Sequence, residues 1–464
     1  MRTLTGRVAG CVLLAVVPAC GLLERDPLPP EGQLVLGVAT DAWLPRGAGD
    51  PYEPVSRTAL FERLRIELFE PGALEPCHEC LRDFGIDHAT MNDGRASVGF
   101  VPRPSTGGYR ARVRLYHAGV GESSAEPRLA STIETVVELP PVSADGIVEV
   151  HVILRTEDLS RPRGTLDAPV SVELGPPPKG LAGSWHREVL EGCAEPAGEG
   201  EACVAGGAFW MGDPAFAEPY ERLVAVSPFY IDQHEVIAGA VRASGLAFID
   251  AVALKADPYP YSADATRTDH HCTYTQTAGA KEDLPVNCVS RDLAWRFCEK
   301  RGASLVSEAQ FEFVAGARRD ATFPWGDAAP TCADAVYGRS YDQTKPPEWR
   351  ACASSGVGVA KPGSGRLDRV KMPDGAEIVD LAGNLSEWVL DAYQRTDEPC
   401  YADNPVIDPV CGEPSPSAPD GVAVRGNPWT DPGGTALRAA VKQRASATAP
   451  QNPRVGFRCA RPGR

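Results

Sequence analysis

Fourteen cysteines lie in this chain of 464 residues, yet none falls between Cys411 and Cys459. What so many cysteines can do depends on the compartment, because thiols stay reduced in a cytosol and pair in an oxidising space. The N-terminus indicates the compartment. Arg2 and Arg7 accompany a short apolar run over residues 8–17, and "VVPAC" follows, with a small residue before Cys20. A bilayer-spanning helix needs about 20 apolar residues, so residues 1–19 read as a signal peptide rather than an anchor. No other segment is long and apolar enough to cross a membrane.

The Val-x-Ala-Cys ending resembles a bacterial lipobox, in which the cysteine becomes the lipid-bearing N-terminus. The chain is therefore expected to be an exported lipoprotein of the cell envelope, periplasmic or at the cell surface, with Cys20 lipidated and the membrane reached through that lipid alone. Setting Cys11 and Cys20 aside leaves an even set of twelve cysteines, which in such a compartment reads as disulfides. Lysine and arginine total 46 against 62 acidic residues, a net charge of −16. No basic run interrupts that balance, which excludes nucleic acid as a partner. The 46 glycines and 43 prolines favour loops over long helices.

Residues 20–33 form a tether. From 34 to 156 the pattern has period two, as half-buried strands require. In "YRARVRLYHA" (109–118), Tyr109, Ala111, Val113 and Leu115 face one way and the arginines the other. Residues 63–70, 96–101, 131–139 and 147–154 behave alike, and no amphipathic helix intervenes. A small antiparallel, β-sandwich-like domain is expected. Its one oddity is "CHEC" (77–80) followed by His88, which offers zinc or copper ligands if reduced and a disulfide if oxidised. Residues 157–192 are rich in proline and glycine and read as a linker.

The second domain, residues 193–464, carries two legible helices. Residues 290–302 begin on Ser290, a good N-cap, place Leu293, Ala294, Phe297 and Cys298 on one face, and stop at Gly302. Residues 307–319 open with a capping box between Ser307 and Gln310, turning Phe311 and Val314 to the core.

Seven blocks then appear in order: "AGGAFWMGDP" (205–214), "VSPFYIDQHEV" (226–236), the stretch 284–319, "FPWGD" (323–327), "DLAGNLSEWVLDAY" (380–393), "VRGNPW" (424–429) and "VGFRCAR" (455–461). Together they resemble the formylglycine-generating enzyme, or sulfatase-modifying factor, family over residues 203–462. The resemblance implies a loop-rich α+β fold related to C-type lectins. It also implies a calcium ion on Asp380, the carbonyls of Gly383 and Leu385, and Glu387, hard oxygen donors of the kind calcium prefers. A second calcium site of the family would need an asparagine where this chain has Val336, and is not carried over. A structural bridge between Cys298 and Cys459 is likewise implied. Pairs Cys193–Cys203, Cys272–Cys288, Cys332–Cys352 and Cys400–Cys411 are plausible from proximity alone, since connectivity cannot be deduced from sequence.

Active members of that family oxidise a cysteine in a C-x-P-x-R segment of a sulfatase. They use Cu(I) on two thiolates, because a soft monovalent ion wants soft sulfur ligands. Those thiolates lie just past an Arg-Gly-Gly-Ser-Trp/Tyr block, matched here by Arg425, Gly426, Asn427, Pro428 and Trp429. The cysteine positions fall on Asp431 and on Thr435 or Ala436. The family's Gly-Ser is Asn427-Pro428, and its tryptophan before Glu387 is Ser386. Copper is therefore not expected, and no catalytic residue is assigned. Two readings remain: a non-catalytic binding or scaffold module for a protein, peptide or glycan, or an oxidase or other metal-dependent enzyme working with different groups. His234, Glu235, His270 and His271 are the residues to test for the second.

Overall fold

The computed structural model describes residues 32–46, 59–102, 107–118, 126–186, 192–213, 221–246, 272–275, 277–317, 321–340, 346–395, 397–446 and 452–464. The expected signal peptide, Cys20, most of the tether, His270 and His271 lie outside these residues. The chain is rich in sheets and poor in helix.

The first half builds β1 (Gln33–Thr40), β2 (Arg63–Phe69), β3 (Leu81–Gly85), the short helix α1 (His88–Asn92), β4 (Ser97–Phe100), β5 (Arg110–Tyr116), β6 (Thr132–Glu138), β7 (Ile147–Leu154), β8 (Val170–Ser171) and β9 (Glu173–Leu174). They form two sheets, β4-β1-β7-β9 and β3-β2-β5-β6-β8, around one apolar core. The alternation in β5 has the anticipated result, with Tyr109, Ala111, Val113 and Leu115 all buried inward. Its arginines are also largely covered, with Glu67 of β2 beside Arg112 and Arg114, and Asp83 of β3 does the same for Arg65 of β2. Arg114 pairs with Glu67, and Arg65 meets Asp83 at 2.7 Å, while Arg110 donates to the carbonyls of Glu70, Ala73 and Leu166. A purely antiparallel arrangement was expected, but β1 and β7 run parallel over their whole length. Strands adjacent in space but far apart in sequence can take that direction, since a long excursion separates them.

The proline- and glycine-rich segment does more than link. β8 pairs with β6, and β9 with β7. Trp185 is buried in the first core, where its indole donates to Glu157 at 3.1 Å.

The second half adds β10 (Glu201–Val204), β11 (Gly207–Met211), β12 (Arg222–Val226), β13 (Phe229–Asp232), α2 (Ala238–Ala243), α3 (Arg291–Lys300), β14 (Ser304–Leu305), α4 (Glu308–Ala315), β15 (Arg369–Lys371), β16 (Glu377–Val379), β17 (Ser386–Ala392), β18 (Val406–Ile407), β19 (Gly421–Arg425), β20 (Lys442–Ser446), β21 (Val455–Phe457) and β22 (Cys459–Pro462). Its strands fall into small sheets: β10-β13-β22-β14, β11-β12-β18, β15-β16 and β20-β19-β17-β21. Ser290 caps α3 by accepting the Leu293 N–H, and the capping box of α4 is complete. α4 ends earlier than the sequence suggested, at Gly316, and is buried all round rather than on one face.

The halves share a core at β11, whose run "GAFWM" is buried throughout. Such continuous apolarity suits a strand covered on both faces. Phe209 and Met211 serve the second domain, while Ala208 and Trp210 join the first. The Trp210 indole donates to the Leu60 carbonyl at 2.8 Å, and the His117 ring stacks on it at 5.0 Å.

Six disulfides take up all twelve cysteines of the described residues: Cys77–Cys80, Cys193–Cys203, Cys272–Cys288, Cys298–Cys459, Cys332–Cys352 and Cys400–Cys411. Cys77 and Cys80 are joined to each other, so they are not available as the thiolates a zinc or copper site would need.

Candidate functional site

The loop 380–387 is the centre of the second domain's polar interior. Asp380 opens it with φ of +56°, a left-handed backbone that asparagine and aspartate tolerate better than most side chains. Asp368 then gathers the turn, its carboxylate accepting the backbone N–H groups of Leu381, Ala382 and Gly383 at 2.8–3.1 Å. Gly383 is needed where it stands. A Cβ there would lie 2.7 Å from the Val336 carbonyl, and that same carbonyl accepts the Asn384 N–H.

The cysteine-free stretch is fastened to this loop. Asn427 N–H donates to the Ala382 carbonyl and Trp429 N–H to that of Asn384, while the Ser386 hydroxyl donates to Gly426 at 3.0 Å. Gly426 has φ of +75° and passes so close to the carbonyls of Leu381 and Leu385 that a Cβ would crowd both. Ser386, in place of a large ring, thus has a hydrogen-bonding role of its own. Beyond Trp429, Asp431 lies 3.4 Å from Arg454 and accepts from the Thr430 hydroxyl. Thr435 and Ala436 sit in a short 3-10 turn, residues Gly434–Leu437. No thiol is present at any of the three positions.

Four carboxylates and one guanidinium are buried beside the loop. Arg458, fully enclosed, binds Glu387 through Nε at 2.7 Å and Nη2 at 2.6 Å. Its Nη2 also reaches the carbonyls of Val379 and Asp380. Burial depresses the Arg458 pKa, but the Glu387 charge outweighs burial and the net direction is upward. Asp380 gives one oxygen to the Gly363 N–H at 2.6 Å; its other oxygen, Oδ1, is buried without a hydrogen-bond partner. Burial first, then the neighbouring Asp368, pushes Asp380 up to about 7. Glu235, between β13 and α2, is fully buried and neither of its oxygens has a partner. Burial, then the charges of Asp380 and Glu387, raises it well above an ordinary glutamate.

The expected calcium donors are therefore treated differently by the fold. Asp380 retains a buried carboxyl oxygen without a hydrogen-bond partner, which fits a hard cation. Glu387 is already the bidentate partner of Arg458. Among the described residues, no three His, Cys, Asp or Glu side chains converge as a chelating set. Nearby, His234 Nδ1 lies 2.7 Å from the Glu235 carbonyl. Sequence reasoning singled out Glu235 only as a companion of His234, and it left Arg458 and Asp368 unassigned. The "GFR" block carried Arg458 in plain view, but nothing local pointed Asp368 at backbone amides.

A second buried cluster surrounds Arg425 at the end of β19. It meets Glu308 at 3.1 Å and also Glu312, while Lys442 reaches Glu308 at 3.2 Å. Asp391 accepts the N–H groups of Glu308 and Cys411.

Among the described residues no helix is long and apolar enough to cross a membrane. No curated protein matches the chain. Of solved structures, Treponema denticola variable protein 1 shares 16% identity and covers 56% of this chain and 94% of its own, with a TM-score of 0.38. CarF shares 14% identity over 56% of this chain and 97% of its own, with a TM-score of 0.34. The model of the sulfatase-modifying factor enzyme 1-like domain matches residues 187–462, more than half of the chain. With its seven blocks folded into one domain around the 380–387 loop, this chain belongs to the sulfatase-modifying factor enzyme 1-like family.

Proposed function

We propose that the protein is a non-catalytic binding or scaffold module, carried on an exported lipoprotein of the bacterial cell envelope. One observation carries this reading. Every cysteine among the described residues is in a disulfide, and Asp431, Thr435 and Ala436 stand where copper thiolates belong in active relatives. Oxygen donors are poor substitutes for sulfur toward Cu(I). Six disulfides suit the oxidising space outside the cytoplasm. Lipid at Cys20 would tether the chain, the β-sandwich-like domain would brace the lectin-related second domain, and a protein, peptide or glycan would be its partner.

The same reading gives the 380–387 loop a structural calcium ion, on Asp380, the carbonyls of Gly383 and Leu385, and Glu387. The unpaired Asp380 oxygen supports it, although Arg458 already holds both oxygens of Glu387. An ion bound only by the folded state stabilises it by linkage.

The test of the non-catalytic assignment uses the mature chain, preloaded with Cu(I) and given a C-x-P-x-R peptide under oxygen, beside an active family member. Mass spectrometry should detect no aldehyde. Conversion of the thiol would sink the reading.

A further inference from the structure

Glu235 is held in place by its neighbours rather than by its own side chain. On one side the Gln233 carbonyl accepts the Val379 N–H at 2.8 Å; on the other, Val236 N–H donates to Phe457 at 2.9 Å. These two backbone bonds tie the segment to the strands that flank Asp380 and Arg458. The fully buried carboxylate feels the charges of Asp380 and Glu387, yet neither of its oxygens accepts a hydrogen bond. A buried polar group without a partner costs on the order of 1–3 kcal/mol, and more when charged.

Arg458 cannot relieve it. Its Nε and Nη2 are committed to Glu387 and to the Val379 and Asp380 carbonyls, and its Nη1 points to the Asp232 carbonyl at 3.5 Å. Asp368 is satisfied by three backbone amides. Protonating Glu235 would remove its charge and give it an O–H whose one unanswered carboxylate acceptor is Asp380 Oδ1, but a buried carbonyl oxygen would still be unpaired. Four carboxylates face one guanidinium, and of the four orphaned side-chain oxygens buried among the described residues three belong to Glu235 and Asp380, the fourth being Asn427 Oδ1.

We propose that Glu235 is a calcium ligand, holding the ion together with Asp380 while Glu387 serves Arg458 instead. Backbone carbonyls and water complete the shell, as is usual for this cation. The proposal rests on the calcium reading above but moves the second carboxylate from Glu387 to Glu235. The ion then ties the β13–α2 segment to the 380–387 loop, joining parts of the chain about 145 residues apart.

The test measures calcium per chain by elemental analysis after dialysis, and thermal unfolding with EDTA or with added calcium. The mature wild-type chain should carry about one ion and melt higher with calcium. Glu235→Gln, which keeps the shape and removes the charge, should lose the ion and melt at one temperature in both buffers. If Glu235→Gln retains the ion and its calcium-dependent shift, Glu235 is not a ligand, while the calcium reading stands. If the wild type neither carries nor responds to calcium, both fall together. Should Glu235→Gln fail to fold, Glu235→Asp keeps the charge and shortens the reach. It should bind calcium at least about tenfold more weakly, and unchanged affinity would overturn the assignment.

Discussion

The second domain buries two ionic clusters, and they solve the same problem differently. Around Arg425 each carboxylate finds partners. Glu308 has Arg425, Lys442 and the Tyr401 hydroxyl, Glu312 has Arg425 and the Gly212 N–H, and Asp391 caps two backbone amides. Around Arg458 the hydrogen bonds stop short, with Glu235 and one oxygen of Asp380 unanswered. Burial is equally deep in both places, so desolvation does not separate them. What differs is whether the chain supplies enough donors. Buried charges persist when paired and hydrogen-bonded. The carboxylates of the first cluster are thus fully answered, with only the Arg425 Nε left over, whereas in the second it is carboxylate oxygens that go without donors, which is the ground for the calcium proposal.

The severest way to break the comparison is to remove each guanidinium. Arg458→Met and Arg425→Met should each destabilise by about 3–5 kcal/mol, because buried carboxylates lose their partner. Urea unfolding should show the greater loss at Arg458, where Lys442 has no counterpart. Equal losses would mean that the two clusters are equivalent after all.

A smaller effect separates them by pH. Asp391 is pushed up to about 7 by burial and then by the Glu308 charge, with Lys442 opposing. The folded state therefore keeps a proton that the unfolded chain releases near pH 4. Stability from this group is full below that value and declines as pH rises through about 7. Asp391→Asn should flatten that decline, so the gap between wild-type and variant melting temperatures should change between pH 5 and 8. The span is on the order of 1–3 kcal/mol. A gap constant with pH would remove Asp391 from the titrating set.

The smallest effect sharpens the role of α4, which carries both Glu308 and Glu312. Ser307→Ala removes the side-chain half of its capping box and should cost about 1 kcal/mol in thermal or urea unfolding. A loss much greater than that would mean the cap also positions the Arg425 cluster.

Much of the local architecture was legible. The N-caps of α3 and α4 depend on residues three apart, and the inward face of β5 on alternate ones, so short windows sufficed. Glu308 and Glu312 stand one helical turn apart, but nothing local marked them as a buried pair, since their partner Arg425 comes more than a hundred residues later. The linker was misjudged in character because proline and glycine report backbone freedom, whereas Trp185 and the strand pairing of residues 170–174 decided its docking. Glu235 looked like a neighbour of His234, since nothing nearby in the chain showed that both its oxygens would be buried without a donor.

By itself, then, the sequence determined the family, the absence of a thiol at Asp431, Thr435 and Ala436, and the caps and alternation of individual elements. These follow from residue identity and spacings of a few residues. Tertiary structure alone decided that β11 seals two domains through opposite faces, that Arg458 claims Glu387, and that Glu235 and Asp380 keep unpaired oxygens. Those outcomes depend on which distant donors reach a buried group once water is gone, and a linear order of residues does not specify that.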